Sequence, residues 1–157
     1  MTDPDHSIST LRNPGREPVR QFVIYAENKV GWLNDVVAAL NAEDVHVMAI
    51  SVLDTTDSAV IRMITNYPDE TRVILTSLKL SFTERKVIAV EIPREGSLKQ
   101  VTNALLHAEI NIHYVYAFLV QPNQKPALAL ALEDEDVALD VLASHQVRIL
   151  SQDDLAR

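Results

Sequence analysis

Glu27-Asn28-Lys29-Val30-Gly31-Trp32-Leu33 decides the fold, because a counterpart follows at Pro93-Arg94-Glu95-Gly96-Ser97-Leu98. An offset of 65 residues puts Gly31 on Gly96, Leu33 on Leu98, Val36 on Val101, Ala39 on Ala104 and Leu40 on Leu105. The same offset carries Val45 onto Ile110 and Val47 onto Ile112. An offset of 64 serves a later segment, with Val73 on Val137, Leu75 on Leu139 and Leu78 on Leu142. The one-residue difference is assigned to a hairpin turn. Self-similarity at a fixed spacing marks a duplicated supersecondary unit.

The hydrophobic pattern around each glycine supplies the elements. Val19–Ala26 is rich in β-branched and aromatic residues and predicts a strand. Leu33, Val36, Val37 and Leu40 then recur at helical spacing. Val45–Leu53 and Ser58–Thr65 predict a hairpin about Asp54–Asp57. Pro68, Asp69 and Glu70 open a helix carrying Val73, Ile74, Leu75 and Leu78. A strand near Ser81–Glu84 closes a βαββαβ unit. The order repeats with a strand at Lys86–Ile92 and a helix marked by Leu98, Val101, Leu105 and Ala108. Asn111–Gln121 and Lys125–Leu132 form a hairpin around Pro122-Asn123-Gln124, followed by a helix at Val137, Val141 and Leu142 and a strand at Val147–Leu150.

The expected fold class is therefore α+β, with two ferredoxin-like βαββαβ units side by side, antiparallel sheets and helices on one face. Residues 1–18 read as a disordered tail, 19–84 as the first domain and 85–157 as the second. The join, Ser81–Lys86, has no Gly, Pro or Ser-rich spacer, which predicts a rigid pair. Val45–Leu53 is apolar on both faces, with Val45, Val47, Ala49 and Leu53 on one and Met48, Ile50 and Val52 on the other. Lys125–Leu132 alternates Leu with Ala. A sheet covered on one side only would be polar on its back. The second face is therefore expected to be buried, in a homodimer.

Composition narrows the function. The 157 residues include three glycines, one in the tail and two at equivalent loop positions. Fourteen basic against 22 acidic residues give a net charge of −8, which disfavours binding to phosphate backbones. Seven acidic and two basic residues lie between Glu133 and Arg157. The absence of Cys excludes disulfides and thiolate sites. No run approaches the roughly 18 apolar residues of a membrane span, and the N-terminus lacks a secretory apolar core. A cytoplasmic protein with no membrane or nucleic-acid partner is expected. The five His show no metal-ligand spacing. Glu133–Asp136 suits the positive end of a helix rather than a cation. With no G-x-S-x-G and no phosphate-binding loop, no metal, no cofactor and no catalysis are expected.

Followed by Val36, Leu40 and Val45, the first loop resembles the opening motif of ACT domains. There an acidic or Asn residue, a Pro-Gly pair and a Leu start the first helix, and an Asn-Ile pair starts the second strand. The second loop, with Asn111-Ile112, resembles the same motif. Together they resemble stand-alone proteins built from two tandem ACT domains, over about Val19 to Leu155. Val30 and Glu95 stand where the motif has Pro, and His46-Val47 where it has Asn-Ile.

The resemblance implies a regulatory protein that binds a free amino acid where the loop of one domain meets the second strand of its neighbour. One junction would join Asn28, Val30, Gly31, Trp32 and Leu33 to Asn111, Ile112, His113 and Tyr114. The other would join Glu95, Gly96, Ser97 and Leu98 to Met48, Ala49 and Ile50. A zwitterion needs donors for its carboxylate, which a helix N-terminus supplies. It also needs acceptors for its ammonium, from carbonyls, Asn or an acidic side chain. The alternative is a regulatory subunit acting in trans on an amino-acid biosynthetic enzyme such as acetolactate synthase.

Overall fold

The computed structural model describes residues 17–27 and 29–156. The first unit contains β1 (Val19–Glu27), α1 (Trp32–Ala42), β2 (Val47–Asp54), β3 (Ser58–Thr65) and α2 (Pro68–Ser77). A long strand, β4 (Ser81–Glu91), follows. The second unit continues with α3 (Ser97–His107), β5 (Ile112–Ala117), β6 (Ala127–Leu132), α4 (Glu135–Ser144), β7 (Ile149–Leu150) and a short α5 (Gln152–Leu155). Asn28 and most of the expected tail, including Gly15, lie outside the described residues.

Two strands were expected where β4 stands. Nothing between Ser81 and Glu91 breaks extended backbone, and the pairing partners change along the strand instead. β1 pairs with Ser81–Val87, β6 with Ile88–Glu91 and β7 with Ala89–Val90. The expected join at Glu84–Arg85 lies inside this strand. β4 thus serves as the last strand of the first unit and the first strand of the second. The antiparallel order is β2-β3-β1-β4-β6-β5, with β7 also on β4.

The sheet curls until its edge strands meet. Ala49 of β2 bridges to Phe118 just beyond β5. The N–H groups of Leu119 and Val120 both donate to Met48 O, at 2.8 and 3.2 Å. Inside the curl, β6 contributes Ala127 and Ala129, while β4 contributes Val87 and Ala89. The leucines of β6, Leu130 and Leu132, face the helices instead. Small inward side chains let opposed walls approach to packing distance. The apolar second face, expected to need a homodimer, is covered by the other half of the same chain.

Each unit also has a core between sheet and helices. α1 buries Val36 and Leu40, and α2 buries Thr71, Ile74 and Leu75. α3 buries Val101, Ala104 and Leu105, and α4 buries Ala138 and Leu142. α2 maps onto α4 with Pro68 on Glu135 and Leu75 on Leu142, an offset of 67 rather than the expected 64. The added residues lie in the second hairpin, whose connection spans 118–126 against 55–57 in the first. Val73, Leu78, Leu98 and Val137, expected to mark buried stripes, are exposed. In α2 the stripe runs through Thr71, whose hydroxyl bonds Thr65 Oγ1 at 2.7 Å.

The alternation expected along Val45–Leu53 also fails at one point. Register slips between Val47 and Ala49 in β2, and between Ile112 and Tyr114 in β5. This bulge recurs at equivalent places in the two units. In β2 it turns both Met48 and Ala49 inward, while Val47 and Ile50 pack toward the helices.

One buried polar contact ties the units across the curl. Gln21 of β1 is fully buried. Its Nε2 donates to Tyr114 Oη at 2.7 Å, and Tyr116 Oη donates to its Oε1. Burial, with Tyr114 beside it, pushes the Tyr116 phenol well above its ordinary range, so it stays a donor. Tyr116→Phe would leave Gln21 Oε1 buried without its donor. Urea unfolding should show a loss of about 1–3 kcal/mol. A variant as stable as the parent would contradict this role.

Candidate functional site

The two glycines hold the same backbone state. Gly31 has φ 87° and ψ −10°, and Gly96 has φ 89° and ψ −16°. Each stands immediately before a helix, and its carbonyl accepts the first helical bond, from Asp35 N at 3.0 Å and Gln100 N at 3.1 Å. This left-handed state is what demands glycine. A Cβ at either position would meet no heavy atom within 4 Å. Space around each loop is therefore open, and the first-turn N–H groups of α1 and α3 lack intrahelical partners.

The surroundings of the two loops differ. The first cavity is an open depression lined by Lys29, Gly31, Trp32, Leu33, Asn34 and Val37. Lys29 Nζ lies 2.9 Å from Glu27 Oε2. The hydrogen bond from Lys29, helped by its charge, lowers the Glu27 carboxyl below its ordinary value. The second cavity, about 280 Å³, lies behind the Gly96 loop. Its lining includes Arg94, Ser97, Gln100, Glu91, Lys125 and Arg148. Arg94 N–H donates to Ser97 Oγ at 3.3 Å, and Ser97 N–H donates to Arg94 O at 3.1 Å.

Glu91 enters the second cavity from the end of β4. Its side chain is only 4 % exposed. Lys125 Nζ lies 3.5 Å from Oε1 and Arg148 Nη1 3.4 Å from Oε2. Arg148 also reaches Asp154 at 3.8 Å. Despite these ion pairs, Oε2 is buried and accepts no hydrogen bond. Sequence reasoning missed this acid. Its signal was Glu91 as the third member of the inward row Val87, Ala89, Glu91, where the first two are apolar.

The structure distributes the expected site residues as follows. Val30 is fully exposed at the loop tip, and Gly31, Trp32 and Leu33 line the first depression. Glu95, Gly96 and Leu98 are exposed, and Ser97 is buried at the second cavity. Met48 and Ala49 are buried at the seam beside 118–120, and Ile50 packs toward the first unit's helices. Asn111 is exposed, and its carbonyl accepts from Glu133 N at 3.1 Å. Ile112 packs in the second helical core, and His113 is exposed at the bulge. Tyr114 faces Gln21 and lies under the Arg62 guanidinium, 3.8 Å from its ring centre. Both loop cavities are lined by residues of their own unit.

Among the described residues, no three His, Asp or Glu side chains cluster as metal ligands. No described helix is long and apolar enough to cross a membrane.

The family model of the ACT domain pair matches residues 18–157. The chain belongs to the ACT domain pair family. No curated protein matches it. Among solved structures, a Bacteroides thetaiotaomicron protein aligns with a TM-score of 0.81 at 24 % identity, covering 92 % of this chain and 99 % of that one. The ligand-free regulatory subunit of aspartate kinase from Thermus thermophilus aligns with a TM-score of 0.55 at 12 % identity, over 82 % and 92 % of the two chains. The corresponding Thermus flavus subunit gives 0.56 at 13 %, over 83 % and 94 %. These likenesses establish the fold of this ACT domain pair.

Because open space surrounds each glycine, the cost of replacing it is conformational. Gly31→Ala and Gly96→Ala should each lower stability by about 1–2 kcal/mol in chemical denaturation. A neutral or stabilising effect would contradict the left-handed caps.

Proposed function

We propose that this ACT domain pair is a non-catalytic regulatory protein that senses a free amino acid at its glycine loops. The observation that supports this most is the repeated cap. Twice, a left-handed glycine ends the loop that follows a strand and presents the first turn of a helix to open space. A helix N-terminus favours a carboxylate through its free N–H groups and its dipole. The residues proposed for binding are those of the two loops, Asn28–Leu33 and Glu95–Leu98, with Met48–Ile50 and Asn111–Tyr114 selecting the ligand side chain. Binding would bias the packing of subunits, an equilibrium that a ligand shifts only through differential affinity. Those subunits would be two copies of this chain or, in the alternative reading, this chain and a metabolic enzyme. The likeness to aspartate kinase regulatory subunits suits the alternative.

A thermal-shift screen with the standard amino acids tests the reading. At about a hundred times its dissociation constant, a ligand adds about 2.7 kcal/mol of stability and raises the melting temperature by several degrees. At least one amino acid should do so at millimolar concentration. A flat response to all of them would overturn the proposal. Recovery of a large enzyme subunit on the tagged chain would favour the alternative.

A further inference from the structure

A third cavity, of about 380 Å³, opens at the seam between the two units. The first unit lines it with Val37 and Asn41 of α1 and with His46, Val47 and Met48 at the start of β2. The second lines it with residues 120–124 of the long hairpin connection and with Asp154 and Leu155 of α5. No residue of either glycine loop takes part. Both walls from the second unit are additions to the repeat. The first unit turns its hairpin in 55–57, and its last strand, β4, runs on where β7 gives way to α5. The volume falls in the small-molecule range, and such sites favour junctions between domains.

The connection keeps a side chain where glycine would cost less. Six described residues other than glycine have positive φ. Asp44, Lys79, Glu109 and Gln146 each follow a helix, where a left-handed residue closes the last turn. Asn123 and Gln124, at φ 55° and 62°, end no such helix. Lys125 N–H donates to Pro122 O at 3.1 Å across them, which makes a type I′ turn. That turn favours Asn at its first central position and glycine at its second. Gln124 stands in the glycine place, and it lines the cavity. Strain of this kind clusters at ligand sites.

The lining indicates the ligand's chemistry. No Lys or Arg contributes to it. Asp154 Oδ2 already accepts from the Ser151 N–H at 2.8 Å and hydroxyl at 3.1 Å. His46 Nε2 lies 3.2 Å from Asp44. A carboxylate or phosphate would therefore find no free cation here, which selects an uncharged ligand. Asn41, Gln121 and Gln124 supply three carboxamides, and among the described residues none of them makes a side-chain hydrogen bond. Each carboxamide offers a donor beside an acceptor, the pattern that matches the edge of a nucleobase. Met48, Val120 and Leu155 add the apolar surface on which a flat ring packs.

We propose that the seam holds a second ligand site, for an uncharged nucleobase or nucleoside, with Asn41, Gln121 and Gln124 reading the base edge and Met48, Val120 and Leu155 packing on the ring. The site goes beyond the amino-acid reading and is independent of it. Residues of both units line it, so its occupant bears on how firmly the curl closes at Met48 and 119–120.

Isothermal titration of the full chain with adenosine, inosine, cytidine and uridine tests the proposal. At least one of them should bind at millimolar concentration or below, at one site per chain. Asn41 and Gln124 are exposed, so Asn41→Leu and Gln124→Gly should fold normally. Each should weaken the nucleoside about tenfold, the worth of one hydrogen bond to the ligand. Gln124→Gly should at the same time raise the melting temperature, because glycine relieves the left-handed turn. A nucleoside that neither variant weakens overturns the proposal, as does a chain that binds none of the four. Either result leaves the amino-acid reading untouched, since that rests on its own screen.

Discussion

A single strand that must serve two sheets at once organises this molecule. β4 pairs with β1 along its first half, and with β6 and β7 along its second. Its inward side chains, Val87 and Ala89, sit at the centre of the curl. With the strand shared, neither unit can complete its sheet without the other. The short side chains at Ala49, Ala89, Ala127 and Ala129 then allow the sheet to close far enough for Ala49 to bridge Phe118. A domain of about 65–70 residues buries too little surface to be robust alone. Sharing a strand and an interior answers that constraint within one chain.

The same architecture separates what is duplicated from what is not. Backbone features recur in both units: the left-handed glycine cap, the bulge at the start of the second strand, and the helix that follows the cap. Side-chain chemistry diverges around them. Beside the first loop lies an exposed Glu27–Lys29 pair, and behind the second lies the buried Glu91 cluster. Duplication thus copied a backbone scaffold, and the surrounding residues distinguish one copy from the other. The regulatory function proposed for the pair draws on both levels.

Much of the fold was legible because the signals were local and repeated. Gly31 and Gly96, the stripe Val36–Leu40 and its counterpart Val101–Leu105, and Pro68 at the start of α2 each report their own surroundings. Closure of the sheet was not legible, since the bridge at Ala49 and Phe118 joins residues far apart in sequence. The two-faced apolarity of β6 was read correctly as burial and that of β2 only in part, since Val52 and Leu53 are exposed, and a pattern names no partner. The bulge at Met48 was hidden because Met48 and Ala49 are both apolar, whichever way they point. Thr71 shows why the second offset failed: a polar residue held the buried position, while Val73 and Val137 lay exposed. Of the candidate site, the two left-handed glycine loops were legible from glycine spacing. Glu91 was not, because its two cations come from other strands' ends.

The central claim is that the shared strand and closed interior make the two units one cooperative body. Urea unfolding tests it with a probe in each half: fluorescence of Trp32, the only Trp in the chain, and exchange protection of the Leu130 amide in β6. The account predicts coincident midpoints and slopes, as two-state unfolding requires. Loss of the Trp32 signal at a lower urea concentration, with Leu130 still protected, would contradict it.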